Sequence, residues 1–190
     1  MKKLALILLA IFFISCNKKT ELKKELVSEK EIYEVLNTVL IPYEKDNIPL
    51  DSNYVSYDQI DVFEMIKHDS LLSVKINSAF SKNDIKFINE QRKNIKKFEL
   101  KQSLLSNIVV IPMDTINKFL KNNFWSKYYQ KYGHRGYNEI SLPLFSIDKN
   151  VVLMSISYNC GSLCGGGSVW IFKKVNGKWQ FYKPITSSAS

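Results

Sequence analysis

Residues 151–183, VVLMSISYNCGSLCGGGSVWIFKKVNGKWQFYK, decide the fold. The runs 151–158, 169–175 and 178–183 are rich in Val, Ile, Phe, Tyr and Trp, which suit a pleated, half-buried surface. Asn176-Gly177 lies between the last two and signals a type I′ hairpin, whose central residues both need positive φ. That turn sets Val175 opposite Lys178, Lys174 opposite Trp179, and Phe172 opposite Phe181. The first two runs are joined by CGSLCGGGS at 160–168. An extended chain rises about 3.3 Å per residue, so it would hold Cys160 and Cys164 about 13 Å apart. A disulfide needs Cα atoms within about 7 Å. Either the pair is unbonded, or the chain turns at 161–163, where Gly161 permits it. With that turn Met154 faces Trp170 and Val152 faces Phe172. Two separate turns then put Met154, Trp170, Phe172 and Phe181 on one face. A further strand near 139–145 would make the sheet four-stranded.

Upstream, the patterning is mostly helical. Ser28-x-x-Glu31 is a capping box ahead of Ile32, Val35, Leu36 and Val39, which share one helical face. Pro42 disfavours helix at Ile41, so this helix should stop near Leu40. Residues 42–53 read as loop. A short helix over 58–68 would bury Ile60, Phe63 and Ile66, and the alternation of Leu72, Val74 and Ile76 favours a strand. Ser81 begins a helix with Ile85, Ile88, Ile95 and Phe98 inside. Residues 107–111 read as a short strand ending at Pro112. Asp114 then caps a helix that runs through Phe124, Trp125, Tyr128, Tyr129 and Tyr132 and stops at Gly133. Those aromatics recur every three or four residues, as a buried helix face does. The expectation is α+β: N-terminal helices packed on a C-terminal antiparallel β-meander of three to four strands.

With 190 residues, 45% of them hydrophobic, one core-bearing domain fits and a disordered or collagen-like chain does not. At the front, Lys2 and Lys3 precede an unbroken apolar run of 11 residues, 4–14. A membrane-spanning helix needs about 20, so the run reads as the core of an export signal. Ser15 and Cys16 follow, and polar chain begins at Asn17. Phe13-Ile14-Ser15-Cys16 resembles a bacterial lipobox of the loosened Bacteroidota kind, with Phe13 where Leu is usual. The resemblance implies cleavage before Cys16 and lipid on its sulfur. Residues 1–15 would be signal peptide, 16–27 a lipidated tether and 28–190 a single α+β domain. Asn17, where Asp would retain such a protein in the inner membrane, favours the outer membrane.

With Cys16 acylated, two of the three cysteines remain, Cys160 and Cys164. In an exported, oxidising setting they are expected to pair. Cleavage would also remove Lys2 and Lys3, lowering the formal charge of +9 by two. Only Arg92 and Arg135 among the basic residues are arginine, and no nucleic-acid motif is present, so a lysine-rich solvated surface is expected.

The run CGSLCGGGSVWIFKKVNGKWQ, with WSKYYQKYGHRGYNEISLPLFSID before it, resembles the C-terminal signature of a family of Bacteroidota lipoproteins. That signature is Cys-Gly-x-Leu-Cys-Gly-x-Gly, a strand, then Asn-Gly-Lys-Trp. It spans about the last 70 residues and implies no assigned activity.

Catalytic constellations are sparse. A Cys–His nucleophile pair from His134 with Cys160 or Cys164 needs a free thiolate. A zinc site from Cys160, Cys164, His134 and His68 lacks the usual spacing, and a redox switch would use two residues between its cysteines. Gly165–167 precede a strand, where a phosphate loop needs a helix. No G-x-S-x-G, H-E-x-x-H or paired-carboxylate motif appears. His134, Arg135 and Tyr137, on a Gly-flanked aromatic loop, are the candidate ligand-binding residues; no catalytic residue, metal or cofactor is assigned. The expected function is an envelope-anchored lipoprotein acting as a non-catalytic binding or scaffolding module. Its partners would be the membrane, through lipid on Cys16, and an envelope protein or glycan, with no nucleic acid. The alternative is an envelope enzyme acting on glycan or peptide near His134 and the Cys160–Cys164 loop.

Overall fold

The C-terminal meander forms with the registers the turns dictate. The computed structural model describes residues 26–40, 54–67, 69–120 and 123–189. Strands Val151–Gly161 (β5), Cys164–Val175 (β6) and Lys178–Ala189 (β7) pair antiparallel. Met154 lies opposite Trp170, Val152 opposite Phe172, Phe172 opposite Phe181 and Val175 opposite Lys178. Asn176 (φ 51°) and Gly177 (φ 76°) supply the left-handed pair that a type I′ turn requires. At the other hairpin Gly161 pairs with Cys164 across Ser162-Leu163, and the register shifts by one before Asn159 meets Gly165.

The sheet is larger than a meander. Tyr54–Tyr57 (β1), Val109–Ile111 (β2), Tyr137–Ile140 (β3) and Leu144–Phe145 (β4) join it, giving seven strands in the order β2-β1-β3-β5-β6-β7, with β4 also on β5. β1 runs parallel to both β2 and β3. The expectation of three to four antiparallel strands is therefore corrected. Parallel neighbours need long crossovers, and the helices between 58 and 136 supply them. Strands of three and four residues carry too little alternation to announce such pairing. The single strand expected near 139–145 is two. Between them Ser141 bonds Ser155 through both its backbone N–H and its Oγ, and Pro143, lacking an N–H, cannot continue a ladder.

Among the described residues the α-helices are Glu29–Val39 (α1), Val62–Lys67 (α2), Ser70–Asn77 (α3), Lys82–Arg92 (α4), Met113–Leu120 (α5) and Phe124–Tyr132 (α6). Capping boxes start α1 at Ser28/Glu31 and α4 at Ser81/Asp84. Pro42, the expected stop for α1, lies outside the described residues; Leu40 caps the helix, donating its N–H to Leu36. The strand expected at Leu72–Val74–Ile76 is instead helix α3. The Asp69 carboxylate accepts the N–H groups of Leu71 and Leu72 at 2.8 and 3.0 Å, which nucleates the turn. Only Ile76 is then buried, and Val74 stands 68% exposed. In the short helix before it, Phe63 and Ile66 are buried as expected, while Ile60 is exposed. Asp114 lies in the first turn of α5, after Pro112, whose carbonyl accepts the N–H groups of Thr115 and Ile116. Asn123, at φ 46°, precedes a separate α6. Gly133 ends α6, its N–H bonding the Tyr129 carbonyl at 2.9 Å.

Both faces of the sheet are covered. On one, Val152, Met154, Phe172, Trp179 and Ile140 pack against Tyr33, Val35 and Leu36 of α1. On the other, Leu153, Val169, Ile171 and Ile185 meet Val62, Phe63 and Ile66 of α2, Ile76 of α3 and Ile88 of α4. Farther along this second face, Ile111 and Tyr137 meet Ile116 of α5, Tyr128 of α6 and the flanking aromatics. The run Val152-Leu153-Met154 is fully buried, as an uninterrupted apolar stretch demands of a strand covered on both sides. Trp170 is partly buried, and Phe181 is 49% exposed with its ring edge-on to Trp170 at 4.8 Å.

The edge of β4 is closed by a side chain. Gln91, 3% exposed on α4, donates from Nε2 to the Phe145 carbonyl at 2.7 Å and accepts the Phe145 N–H at 2.9 Å. It completes a ladder where no strand follows. Gln91→Leu keeps the volume and orphans two buried backbone groups, each costing about 1–3 kcal/mol. The expected loss is about 2–4 kcal/mol by urea denaturation, and a loss below about 1 kcal/mol would show that Phe145 finds other partners.

Candidate functional site

Cys160 and Cys164 are joined, with Cα atoms 5.1 Å apart, at the tip of the β5–β6 hairpin. The bulge after Asn159 brings them this close, so of the two alternatives open in the sequence the chain takes the turn. The Tyr129 hydroxyl donates to the Cys160 carbonyl at 3.1 Å, tying this tip to α6. The His134 ring lies 4.5 Å from the Tyr129 ring. The candidate residues His134, Arg135 and Tyr137 are therefore split by the strand that starts between them. His134 and Arg135 are exposed on the loop after α6. Tyr137, 5% exposed, turns into the aromatic cluster and donates its hydroxyl to Glu139 at 3.4 Å. His68 and Cys16 lie outside the described residues. Among the described residues no three His, Cys, Asp or Glu side chains converge as a metal site, and no helix is long and apolar enough to cross a membrane.

Gly136, just before β3, explains how closely this loop approaches the sheet. A Cβ there would sit 2.4 Å from the Asn159 carbonyl oxygen and 2.5 Å from the Tyr158 ring. Only a residue without a side chain lets β3 enter beside β5.

The sheet also assembles a group of polar residues that the linear pattern does not display. Parallel pairing sets Ser56 of β1 directly opposite Glu139 of β3. The ladder continues one step beyond β1, with the Asp58 N–H donating to the Ile140 carbonyl at 2.8 Å. A strand's period of two places Ser56 and Asp58 on one face, and Tyr137 and Glu139 on the same face. Two carboxyl groups far apart in the chain are thus brought onto one face, near enough for the charge of one to act on the other, a juxtaposition that no local sequence motif records. Their signal was only the spacings Ser56-x-Asp58 and Tyr137-x-Glu139, which mean nothing until β1 and β3 are known to be neighbours.

Burial raises the Glu139 carboxyl above the ordinary carboxylate range, and the negative charge of Asp58 adds to the shift. Hydrogen bonds from the Asn159 amide, at 3.1 Å, and from Tyr137 offset part of this. Asp58 is likewise raised by burial, partly offset by the N–H of Ile60. Burial, then Glu139, pushes the Tyr137 hydroxyl well above its usual range. Ser56 is fully buried, and its Oγ has no hydrogen-bond partner among the described residues.

A carboxyl raised on folding holds its proton to higher pH in the native state than in the unfolded one. Its contribution to stability is therefore lost as pH rises from the ordinary carboxylate range through the folded pKa, and stays lost at neutral pH. Glu139→Gln removes that loss. It should raise Tm at pH 7 by roughly 2–4 °C and change Tm little below about pH 4, where the glutamic acid is protonated in both states. A lower Tm at pH 7 would mean that a positive charge pairs with Glu139. Compared with protein-family models, curated proteins and solved structures, the chain matches none.

Proposed function

We propose that this protein is a lipoprotein of a bacterial envelope, held to the membrane by lipid on Cys16. Residues 28–190 then serve as a non-catalytic module that binds or scaffolds an envelope protein or glycan. The observation that best supports the reading is the Cys160–Cys164 bond on a surface hairpin whose tip residue Leu163 is 91% exposed. Solvent-accessible disulfides persist in oxidising compartments, and the leader at 1–15 would deliver the chain to one.

The remaining support is of the same kind. A tether over 16–27 would end where Ser28 caps the first helix, so the module would stand clear of the bilayer on a short leash. Two acyl chains give effectively stable attachment, and one does not. Asn17 after the acylated cysteine favours the outer membrane. The surface carries solvated lysines rather than an arginine-rich stripe, in keeping with partners other than nucleic acid. A catalytic role near His134 has less behind it: His134 rests against Tyr129, Arg135 is exposed, and the two sulfurs are tied together.

Fractionation and intact mass test this directly. The wild-type chain is expected in the membrane fraction, beginning at Cys16 with two or three acyl chains, and reduction should add only the mass of two hydrogens. Cys16→Ala should move most of the protein to the soluble fraction or leave it unprocessed. Recovery of a soluble wild-type chain with its leader intact and three free thiols would overturn the reading.

A further inference from the structure

The face that carries Asp58 and Glu139 is covered at both ends and thinly furnished between them. One end lies under the core made by α2, α3 and α4, the other under the aromatic cluster of α5 and α6. Beside Glu139 the neighbouring strands present only small residues on this face. Ser157 lies opposite Glu139, and Gly167 opposite Ser157, both partly exposed. A Cβ on Gly167 would stand 2.7 Å from Ser157 Oγ, so the floor is held flat and bare. Asp58 and Glu139 are themselves only partly buried, so solvent reaches this face at the two carboxyl residues.

The charge on this floor is unbalanced. The chain has 27 Lys and Arg against 18 Asp and Glu, yet neither Asp58 nor Glu139 has a cationic partner among the described residues. Neighbouring carboxylates without a countercharge repel each other, and a structure retains them at a cost in stability. Beside them the Ser56 hydroxyl, 0% exposed and turned to the same face by the period of β1, has no partner among the described residues. A buried hydroxyl left unpaired costs free energy and calls for a partner. The arrangement thus offers two anionic acceptors, each only partly satisfied by neutral donors of the protein, and one neutral acceptor, with no positive charge among the described residues to answer them.

We propose that Ser56, Asp58 and Glu139 form a binding site for a primary ammonium group. An ammonium carries three N–H donors and one positive charge. It can give one hydrogen bond to each carboxylate and one to Ser56 Oγ, answering all three acceptors with one small group. The Asn159 amide donates to one Glu139 carboxylate oxygen and the Tyr137 hydroxyl to the other, which fixes the group and leaves each oxygen a second lone pair. A quaternary ammonium has the charge without the donors. Calcium takes six to eight oxygen ligands, more than these three side chains provide. Amines of this class occur on lysine side chains, on free amino sugars and on alkyl diamines. The assignment supplies a ligand class for the binding module proposed above and rests on that reading only in treating capture of the amine as the protein's task.

Isothermal titration of the purified protein at constant ionic strength tests the site. The probes are propylammonium, 1,5-diaminopentane, glucosamine beside N-acetylglucosamine, and Nα-acetyl-lysine beside its Nε-acetylated form. Saturable binding is expected for the free amines and loss of binding for their acetylated counterparts, and the tightest of the three sources identifies the natural ligand class. Asp58→Asn and Glu139→Gln should each weaken binding about ten-fold or more, since each removes a charge-assisted hydrogen bond, and Ser56→Ala several-fold. Tm of the two carboxyl variants, expected to equal or exceed wild type, separates lost binding from lost folding. Equal response to tetramethylammonium, preference for calcium or magnesium, indifference to all three substitutions, or no saturable binding of any amine would each overturn the assignment. None of those results would move the Cys16 fractionation, so the anchoring account stands or falls separately.

Discussion

Strand β5 is hydrogen-bonded on both edges and, over Val152-Leu153-Met154, buried on both faces, and the rest of the molecule is arranged around it. One edge receives β3 and β4, the other β6. Its apolar run supplies side chains to the core under α1 and to the core under α2, α3 and α4 in alternation. Each fully buried Val, Leu or Met stabilises by about 1.5–3 kcal/mol, so a strand that fills two cores has no tolerance for a slip in register. The Asn176-Gly177 turn and the Cys160–Cys164 closure hold that register from the far side. Because β3 pairs with β5, and β1 with β3, the positions of Ser56, Asp58 and Glu139 are inherited from the same strand.

The parts legible in the sequence were those written locally. Turn chemistry at 176–177 dictates the pairing of β6 with β7, and the capping box at Ser28 and the helix-starting serine at Ser81 locate two helices. The parts that stayed hidden depend on contacts distant in the chain. Leu72, Val74 and Ile76 alternate as a strand would, but an Asp at the preceding turn offers two N–H groups an acceptor, and eight residues coil into α3. Strands β1 and β2 are too short to show a period and take meaning only from each other. Local pattern alone therefore shows the meander as the whole sheet and its apolar residues as one core, where the fold has two. The three- and four-residue spacing of the aromatic segment from Phe124 is that of a packed helix face, and its rings interlock at centroid distances of 5.0–6.3 Å around the fully buried Tyr128.

The candidate site divides in the same way. His134, Arg135 and Tyr137 attract notice because they lie close in sequence, but only Tyr137 belongs to strand β3, and the other two lie on the loop before it. Tyr137 is drawn into the core while His134 and Arg135 remain outside. Asp58 and Glu139 attract no notice in the sequence, because their meeting is a product of parallel pairing. Their partial burial without a countercharge among the described residues is a local conflict in a fold otherwise consistent from turn to core, and it is the observation on which the proposed ammonium site rests. With the lipid anchor proposed at Cys16, this two-sided sheet and its anionic face would form a module that holds a ligand at a membrane surface.

The claim on which all of this depends is that β5 joins the parallel trio β1–β2–β3 and the meander into one cooperative unit. Native-state hydrogen exchange, followed amide by amide, measures it most directly. The account predicts that the bonded amides of Ile140, Leu153, Ile156 and Ile171 share the slowest exchange and the same dependence on denaturant, opening only when the whole domain unfolds. If β1 and β3 instead exchange through a separate, lower-energy opening while β5, β6 and β7 stay protected, the sheet is two units, and its polar face is not held as described.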